Sequence, residues 1–139
     1  MQNIQYIVEG PDRAGKTTYA KELANKYGLE YEHLSHKDDR RAKFYLQKLN
    51  DRNKVYDRLF ISEYVYSKVL GRETDVDLDT LKALVETAER LGWRIVICLA
   101  DDYNLTGEPD FVVDNHEALR AEFERVAKDL NLTIRKRGI

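Results

Sequence analysis

The sequence predicts a three-layer α/β domain in which a five-stranded parallel sheet carries helices on both faces. The first observation is that short apolar runs alternate with amphipathic helical patterns, which implies right-handed crossovers between parallel strands. The second is the length, since 139 residues is the size of one domain and residues 1–139 are expected to fold as a single unit. The third is the composition, 42% hydrophobic and 35% charged, which supplies one core under a charged surface and argues against disorder.

The first three elements are a strand, a helix and a second strand. Residues 4–8 form a short apolar run that stops at Glu9 and Gly10, as a buried strand ending in a glycine-rich turn does. The helical spacing that follows ends at Gly28, a residue suited to the left-handed position after a helix. The apolar positions of this helix are Ala20, Leu23, Ala24 and Tyr27. Residues 29–34 return to extended character.

The middle of the chain predicts two more helices around a short strand. Residues 38–50 place one apolar stripe on a helix, with charged residues on its solvent side. The stripe consists of Ala42, Tyr45, Leu46 and Leu49. Residues 54–57 can form only a short strand, and residues 61–70 fit a helix entered near Ser62 better than a strand.

The last part of the chain predicts a helix, a strand, a helix and a final strand. A helical repeat of apolar residues runs up to Gly92, and residues 93–100 are the most apolar strand candidate. The repeat consists of Leu78, Leu81, Leu84, Val85, Ala88 and Leu91. Asp114 and Glu117 have the spacing of a capping box and predict the start of an amphipathic helix. Residues 132–135 would be the last strand.

Net charge and cysteine content exclude several classes of protein. Lys and Arg number 23 against 25 Asp and Glu, a formal net charge of -2, so nucleic acid or an anionic membrane would have to bind through a local patch. The single cysteine, Cys98, excludes an internal disulfide framework and fits a reducing cytosol. The sequence lacks the pattern of a signal peptide and any apolar stretch long enough to span a membrane. We therefore expect a cytoplasmic protein with no membrane partner.

Residues 10–17 have the pattern of a phosphate-binding loop: a glycine, four residues and then Gly-Lys-Thr, between a predicted strand and a predicted helix. Backbone N–H groups at a helix N-terminus bind polyphosphate through their geometry and dipole. Lys16 would reach the β- and γ-phosphates of ATP, and Thr17 would ligate Mg²⁺. The residues assigned to ATP are Gly10, Pro11, Asp12, Arg13, Ala14, Gly15, Lys16, Thr17 and Thr18.

Two side chains inside this loop indicate more than nucleotide binding. Asp12 is a carboxylate in an anion site, so it is expected to face another ligand group, such as a sugar hydroxyl. Arg13 places a planar cation beside the transferred phosphoryl group, where it would act as a built-in arginine finger. The alternative is a surface ion pair between Asp12 and a neighbouring cation.

Residues 8–18 resemble the phosphate loop of thymidylate kinases. The resemblance extends to Asp57, Arg58 and residues 62–66, which are similar to the Asp-Arg segment of thymidylate kinase-like and deoxynucleoside kinase-like proteins. It covers the N-terminal half, and beyond residue 72 only the alternation of helix and strand matches. The resemblance implies a minimal kinase of the P-loop NTPase fold that transfers the γ-phosphate of ATP, with Mg²⁺, to a nucleotide-type acceptor. A deoxynucleoside monophosphate is the favoured acceptor.

The resemblance also implies roles on the acceptor side. Asp12 would contact the 3′-hydroxyl of the acceptor sugar, Arg58 would hold the acceptor phosphate, and Asp57 would lie near Mg²⁺ or the attacking oxygen. A carboxylate at the carboxyl end of a strand beside the phosphate loop also fits the ligand crevice of an open α/β sheet, although Asp57 and Arg58 could instead form a structural ion pair. Glu63 and Tyr64 are assigned to the acceptor as well.

The candidate lid, residues 101–110, contains neither arginine nor lysine. In one class of thymidylate kinases the phosphate loop carries an arginine and the lid lacks the catalytic one, and Arg13 places this chain with that class. The predicted catalytic residues are therefore Arg13, Lys16, Asp57 and Arg58.

One feature of the family is missing. Thymidylate kinases generally carry an Arg-Glu-Pro segment after the second strand, whereas residues 32–36 of this chain contain no arginine. Either Lys37, Arg40 or Arg41 replaces it, or the acceptor is something other than free dTMP, such as a larger substrate that needs an open site. Two alternatives stay open: a P-loop NTPase or nucleotide-binding module without a dedicated acceptor, and a kinase acting on a hydroxyl of a modified base or end in DNA. The basic cluster Lys37, Arg40, Arg41 and Lys43 motivates the DNA alternative, and the negative net charge opposes it.

Two further groups have open interpretations. His33 and His36 could be metal ligands or a catalytic base, although residues three apart on a strand end do not share a face. The basic residues 135–137 are interpreted as a solvated terminus. The sequence does not indicate an oligomeric state.

Overall fold

The computed structural model describes residues 4–35, 38–100 and 103–137. The elements in these ranges follow the predicted order, with one direct helix-to-helix connection. They are β1 (Gln5–Glu9), α1 (Lys16–Tyr27), β2 (Glu30–His33), α2 (Ala42–Lys48), β3 (Lys54–Asp57), α3 (Phe60–Leu70), α4 (Leu78–Arg90), β4 (Trp93–Ala100), α5 (Asp110–Asp129) and β5 (Thr133–Arg137). None of these helices is long and apolar enough to cross a membrane.

The strands form one parallel sheet in the order β2-β3-β1-β4-β5. Alternate side chains of a strand reach opposite faces, so the central strand β1 contributes to two cores. Ile7 packs against α3, α4 and α5 on one face, whereas Tyr6 and Val8 pack with Ala20 and Leu23 of α1 on the other. Helices on both faces of a five-stranded parallel sheet confirm the three-layer prediction.

The adjacent carboxyl ends of β1 and β3 determine where a site can form. Val8 is aligned with Asp57 in the sheet, and the N–H of Arg58 donates to the carbonyl oxygen of Val8 at 3.0 Å. The loop after β1 and the loop after β3 therefore leave the sheet side by side. Open α/β sheets bind their ligands at this edge.

Some helix bounds differ from the prediction. α2 begins at Ala42, and Leu46 is wrong as a core position because it is 47% exposed; the short helix turns Tyr45 and Leu49 inward instead. α5 begins at Asp110, four residues before the predicted capping box. Pro109 occupies the N-cap position, with φ of −59°. Asp114 and Glu117 therefore lie inside α5 and do not form its N-terminal cap.

Candidate functional site

The phosphate loop leaves β1 at a position that only glycine can occupy. Gly10 has a φ of 146°, and a Cβ placed there would lie 2.3 Å from the carbonyl oxygen of Cys98 in β4. At the other end of the loop, Gly15 has a φ of 77° and immediately precedes α1. The loop therefore lies against the sheet and leads into the N-terminus of a helix, the arrangement that binds phosphate.

Lys16, Thr17 and Asp57 form the centre of the site. Lys16 Nζ lies 2.7 Å from Oδ1 of Asp57, and the two side chains are 6% and 0% exposed. The Thr17 hydroxyl donates to Oδ2 of Asp57 at 2.7 Å, and the Tyr31 hydroxyl donates to the same oxygen at 2.5 Å. Three residues predicted for phosphoryl transfer are therefore in direct contact. Tyr31, which the sequence analysis did not single out, completes the cluster.

The Asp57 carboxyl is ionised at neutral pH. Burial alone would raise its pKa, but the charge and hydrogen bond of Lys16, with hydrogen bonds from Tyr31 and Thr17, hold the pKa below its usual value. Burial and the hydrogen bond to Asp57 raise the pKa of Tyr31 to about 12, so Tyr31 is a neutral donor. The cluster is thus a carboxylate facing one ammonium group and two neutral hydroxyls.

Asp12 is held by Arg58 and Tyr66. The Arg58 guanidinium pairs with the Asp12 carboxylate, and the Tyr66 hydroxyl donates to Oδ2 of Asp12 at 3.0 Å. The guanidinium carbon of Arg58 lies 4.9 Å from the centre of the Tyr66 ring. The predicted alternative for Asp12, an ion pair with a neighbouring cation, is therefore present, although it is largely buried. The alternative of a structural pair between Asp57 and Arg58 is wrong, because Asp57 pairs with Lys16.

Arg13 contacts the segment that precedes α5. Its Nε lies 2.6 Å from Oε1 of Glu108, and its Nη2 donates to the carbonyl oxygen of Thr106 at 3.2 Å. Arg13 has a φ of 65°, an uncommon conformation for a residue other than glycine. Residues 101 and 102 of the candidate lid lie outside the described residues. In the described part of the lid, a carboxylate binds the predicted arginine finger.

Two cavities meet at this site. We name them after the roles that the sequence predicts. The donor cavity, of about 350 Å³, lies beside the phosphate loop and is lined by Gly15, Lys16, Thr17 and Thr18. The acceptor cavity, of about 370 Å³, lies between α3, the loop after β2 and the start of α5. The residues that line both are Asp12, His33, Arg58 and Glu108. The site therefore offers two adjoining spaces with Asp12 and Arg58 at their junction.

The acceptor cavity carries charged groups away from the phosphate loop. Glu63 of α3 forms an ion pair with Arg40 at 3.0 Å. Arg72 also lines the cavity, and its buried Nε has no hydrogen-bond partner among the described residues. The predicted Tyr64 lies elsewhere, in a cavity between α3, α4 and α5, whereas Tyr66 faces the acceptor cavity. Of the two acceptor residues predicted on α3, the structure brings Glu63 to the site and not Tyr64.

Two buried side chains that the sequence analysis did not select support the site. Glu9, at the end of β1, accepts hydrogen bonds from the backbone N–H groups of Leu59 (3.0 Å) and Ile61 (2.8 Å) and from the Ser62 hydroxyl (2.6 Å). Burial raises the pKa of Glu9, and these hydrogen bonds partly offset that effect. His116 of α5 lies 3.1 Å from the backbone oxygen of Asp12. These contacts join the phosphate loop to α3 and α5.

Of the two histidines predicted as metal ligands or as a base, only His33 lies within the described residues. His33 Nδ1 lies 3.5 Å from Oδ2 of Asp57, while His36 and Lys37 lie outside the described residues. Within residues 4–35, 38–100 and 103–137, no group of three or more His, Cys, Asp or Glu side chains could hold a metal ion. His33 is better described as part of the wall that the two cavities share.

The basic residues 135–137 form the end of β5 beside β4, where the prediction had a free tail. Lys136 and Arg137 are exposed there, as predicted, and Arg135 is half-buried. A Cβ built on Gly15 would lie 3.4 Å from Cδ of Arg137, and Arg137 lines the donor cavity. The signal in the sequence was the run of three cations that begins at the last residue of a predicted strand. The parallel pairing with β4 carries that run to the ligand edge of the sheet.

No protein-family profile matches the sequence, and no curated protein is similar to it. Solved structures are similar in fold. The YorR protein from Bacillus subtilis, in complex with phosphorylated GDP, has a TM-score of 0.78 at 16% identity, and the match covers 96% of this chain and 84% of that one. Deoxyadenosine kinase from M. mycoides with bound dCTP has a TM-score of 0.56 at 15% identity, covering 96% and 89%.

Thymidylate kinase from Ehrlichia chaffeensis has a TM-score of 0.52 at 14% identity, and the match covers 98% of this chain and 87% of that one. At these identities the likeness shows the fold alone. Together with the sheet order and the phosphate loop, it establishes the P-loop NTPase fold that the sequence predicts.

Proposed function

We propose that the protein is an ATP-dependent phosphotransferase that transfers the γ-phosphate to a nucleotide-type acceptor, with a deoxynucleoside monophosphate favoured. The observation that carries this proposal is the pair of adjoining cavities that share Asp12 and Arg58. A module that only hydrolyses or senses ATP requires the donor cavity and not the second one. Two of the structural neighbours are kinases by name, which supports the same proposal.

On the donor side, residues 10–18 would bind ATP. Lys16 would bind the β- and γ-phosphate oxygens. Mg²⁺ fits the groups present, because the Thr17 hydroxyl and the Asp57 carboxylate are oxygen ligands 2.7 Å apart and Mg²⁺ takes one or two such protein ligands together with phosphates and waters. When bound, Mg²⁺ neutralises charge on the β- and γ-phosphates.

In the transfer step, an acceptor oxygen attacks the γ-phosphorus while the bond to the β–γ bridging oxygen breaks, and ADP leaves. An acceptor phosphate, whose second pKa is roughly 6, has already lost its proton at neutral pH, so the step needs no general base. Arg13 would have to exchange Glu108 for the transferring group. There it would stabilise the charge of the three equatorial oxygens together with Lys16.

On the acceptor side, Arg58 would hold the acceptor phosphate and Asp12 the sugar hydroxyl, since both lie where the cavities meet. The acceptor cavity continues along α3, which lines it with Ser62, Glu63 and Tyr66. Arg72 follows the end of that helix. Because a helix rises about 1.5 Å per residue, the end of α3 lies far from the phosphate loop. Arg72 would there donate a hydrogen bond to a carbonyl group of the acceptor base.

The test is to incubate ATP labelled in its γ-phosphate with a panel of nucleosides, nucleoside monophosphates and oligonucleotides. We expect label in a monophosphate acceptor. Lys16→Ala should abolish transfer without unfolding the protein, and Lys26→Ala, an exposed lysine on the same helix, should not. Release of inorganic phosphate alone would show an NTPase or sensor, and would contradict the proposal.

The DNA-acceptor alternative has less support than the sequence suggested. Of the basic cluster that motivated it, Arg40 is paired with Glu63 and Arg41 with Asp39 at 2.6 Å. Both cations are therefore partly neutralised by neighbouring carboxylates. Label in an oligonucleotide, with binding that weakens steeply as salt increases, would reinstate this alternative.

A further inference from the structure

Arg137 reaches the phosphate loop from the far end of the chain. β5 runs parallel to β4, with Arg137 aligned with Ala100, so its carboxyl end lies at the same edge of the sheet as the loop. A Cβ built on Gly15 would meet Cδ of Arg137 at 3.4 Å and Nη1 at 3.7 Å. The guanidinium group therefore lies beside the loop at the N-terminus of α1, and it lines the donor cavity with Lys16.

The alternation of β5 directs its basic side chains to two faces. The guanidinium carbon of Arg135 lies 4.3 Å from the centre of the Tyr19 ring of α1, so Arg135 and Arg137 share the face that carries the loop. Lys136 faces α5: the pKa of Glu124 in that helix is lowered first by a hydrogen bond from Lys128 and in smaller part by the charge of Lys136. Two of the three cations thus lie on the nucleotide side.

The charge of the donor cavity fits a polyphosphate. Its lining includes the cations Arg13, Lys16, Arg58 and Arg137 and the carboxylates Asp12 and Glu108. Each carboxylate of the lining is already in an ion pair, Asp12 with Arg58 and Glu108 with Arg13, and Lys16 is paired with Asp57 beneath. Among the described residues of the lining, four cations therefore stand against two carboxylates, and Arg137 is one of the four.

We propose that Arg137 binds the phosphates of the donor nucleotide, so that the basic strand β5 forms part of the nucleotide site. The ligand class is a nucleoside polyphosphate, held through its phosphate oxygens by the planar fork of a guanidinium group. This inference rests on the proposed function in taking ATP as the donor, and it does not depend on which acceptor is used. It assigns a role to Arg137, an exposed side chain at the end of β5.

The experiment measures equilibrium binding of ATP, ADP and inorganic tripolyphosphate, each with Mg²⁺, by titration calorimetry. The variants are Arg137→Gln, Arg137→Lys and the matched control Lys136→Gln, which removes a neighbouring cation from the opposite face. Since a charge-assisted hydrogen bond is lost, Arg137→Gln should weaken binding of all three ligands by about 10- to 100-fold. Arg137→Lys should recover part of that loss, and Lys136→Gln should bind as the wild type does.

Two results would overturn the inference. Unchanged affinity of Arg137→Gln for ATP and tripolyphosphate would remove Arg137 from the site. A loss for ATP with unchanged tripolyphosphate affinity would mean that Arg137 contacts the nucleoside and not the phosphates. Equal melting temperatures of the variants exclude an effect of unfolding. A further result would separate the two proposals. If Arg137→Gln binds ATP more weakly than the wild type, but the wild type labels no acceptor, the proposed function is refuted and the inference on Arg137 stands.

Discussion

Replacement of Arg13 by alanine separates a structural role of this side chain from a catalytic one. Arg13 Nε lies 2.6 Å from Glu108, and the two side chains are 46% and 19% exposed. An ion pair with this much exposure contributes about 0 to 1 kcal/mol to stability. For a domain of this length, that amount lowers the melting temperature by no more than about 5 °C. The stability effect of Arg13→Ala should therefore be small.

The effect of Arg13→Ala on kcat should be much larger than its effect on stability. An arginine finger contributes roughly 10³- to 10⁵-fold to the rate of phosphoryl transfer, and the described part of the lid, residues 103–110, contains neither arginine nor lysine. Glu108→Gln is the matched control, because it removes the same ion pair and keeps the cation. It should lose the same small amount of stability, and its kcat should be retained or raised, since Arg13 no longer has to leave a carboxylate.

The assay is steady-state transfer of label from ATP to the acceptor that the panel experiment selects, combined with thermal unfolding of each variant. Arg13→Lys should restore only part of the activity, because an ammonium group lacks the planar fork. A kcat of Arg13→Ala within about tenfold of the wild type, far from the loss expected for a finger, would refute the assignment. An equal loss in Glu108→Gln would show that the ion pair itself is what the reaction requires.

Three other perturbations test other parts of the site. The pKa of Asp57 is lowered in the folded protein from a usual value of 3.8. The ionised carboxylate therefore stabilises the fold fully above that pH, and this stabilisation is lost as pH falls through the pKa of the folded state. The difference in melting temperature between wild type and Asp57→Asn should narrow below about pH 4, and a constant difference would contradict the ionised pair. Arg72→Gln should raise the acceptor KM about tenfold through a lost hydrogen bond and leave the KM for ATP unchanged; a rise in the KM for ATP instead would contradict its place in the acceptor cavity. Gly10→Ala should destabilise the fold by about 2 to 4 kcal/mol in urea unfolding, because its Cβ would lie 2.3 Å from a carbonyl oxygen. Gly28→Ala, at a φ of 66° with open space around it, should cost less and serves as its control.

The parts of the fold that the sequence predicted well have a strong local signal. β3 and β4 have the predicted bounds. In β4 the signal is an apolar run interrupted only by Arg94, as expected for a strand buried on both faces. The phosphate loop was predicted together with Lys16, Thr17 and Asp57, whose side chains are now seen in contact. Here the motif identified the residue types, and the end of the neighbouring strand identified the edge of the sheet at which they meet.

The errors lie where tertiary packing decides. Every residue of α3 from Phe60 to Ser67 is buried, so the pattern could not distinguish the face of Tyr64 from that of Tyr66. Glu9 stands next to the loop glycine, but its contacts are with residues about fifty positions later. Arg137 reaches the loop only through the pairing of β5 with β4. Periodicity in a single sequence contains no information on such long-range contacts.

The basic residues at the end of β5 have a second physical effect, on how the sheet meets other molecules. In the described part of the chain β5 is an edge strand, and an unpaired edge is a template for another strand. A second β5 approaching this edge would bring its own Arg135, Lys136 and Arg137 against the same three cations. Their mutual repulsion opposes edge-to-edge aggregation at low ionic strength and is screened as salt rises. The colloidal stability of the protein is therefore expected to fall with added salt, and more so when bound polyphosphate neutralises Arg137.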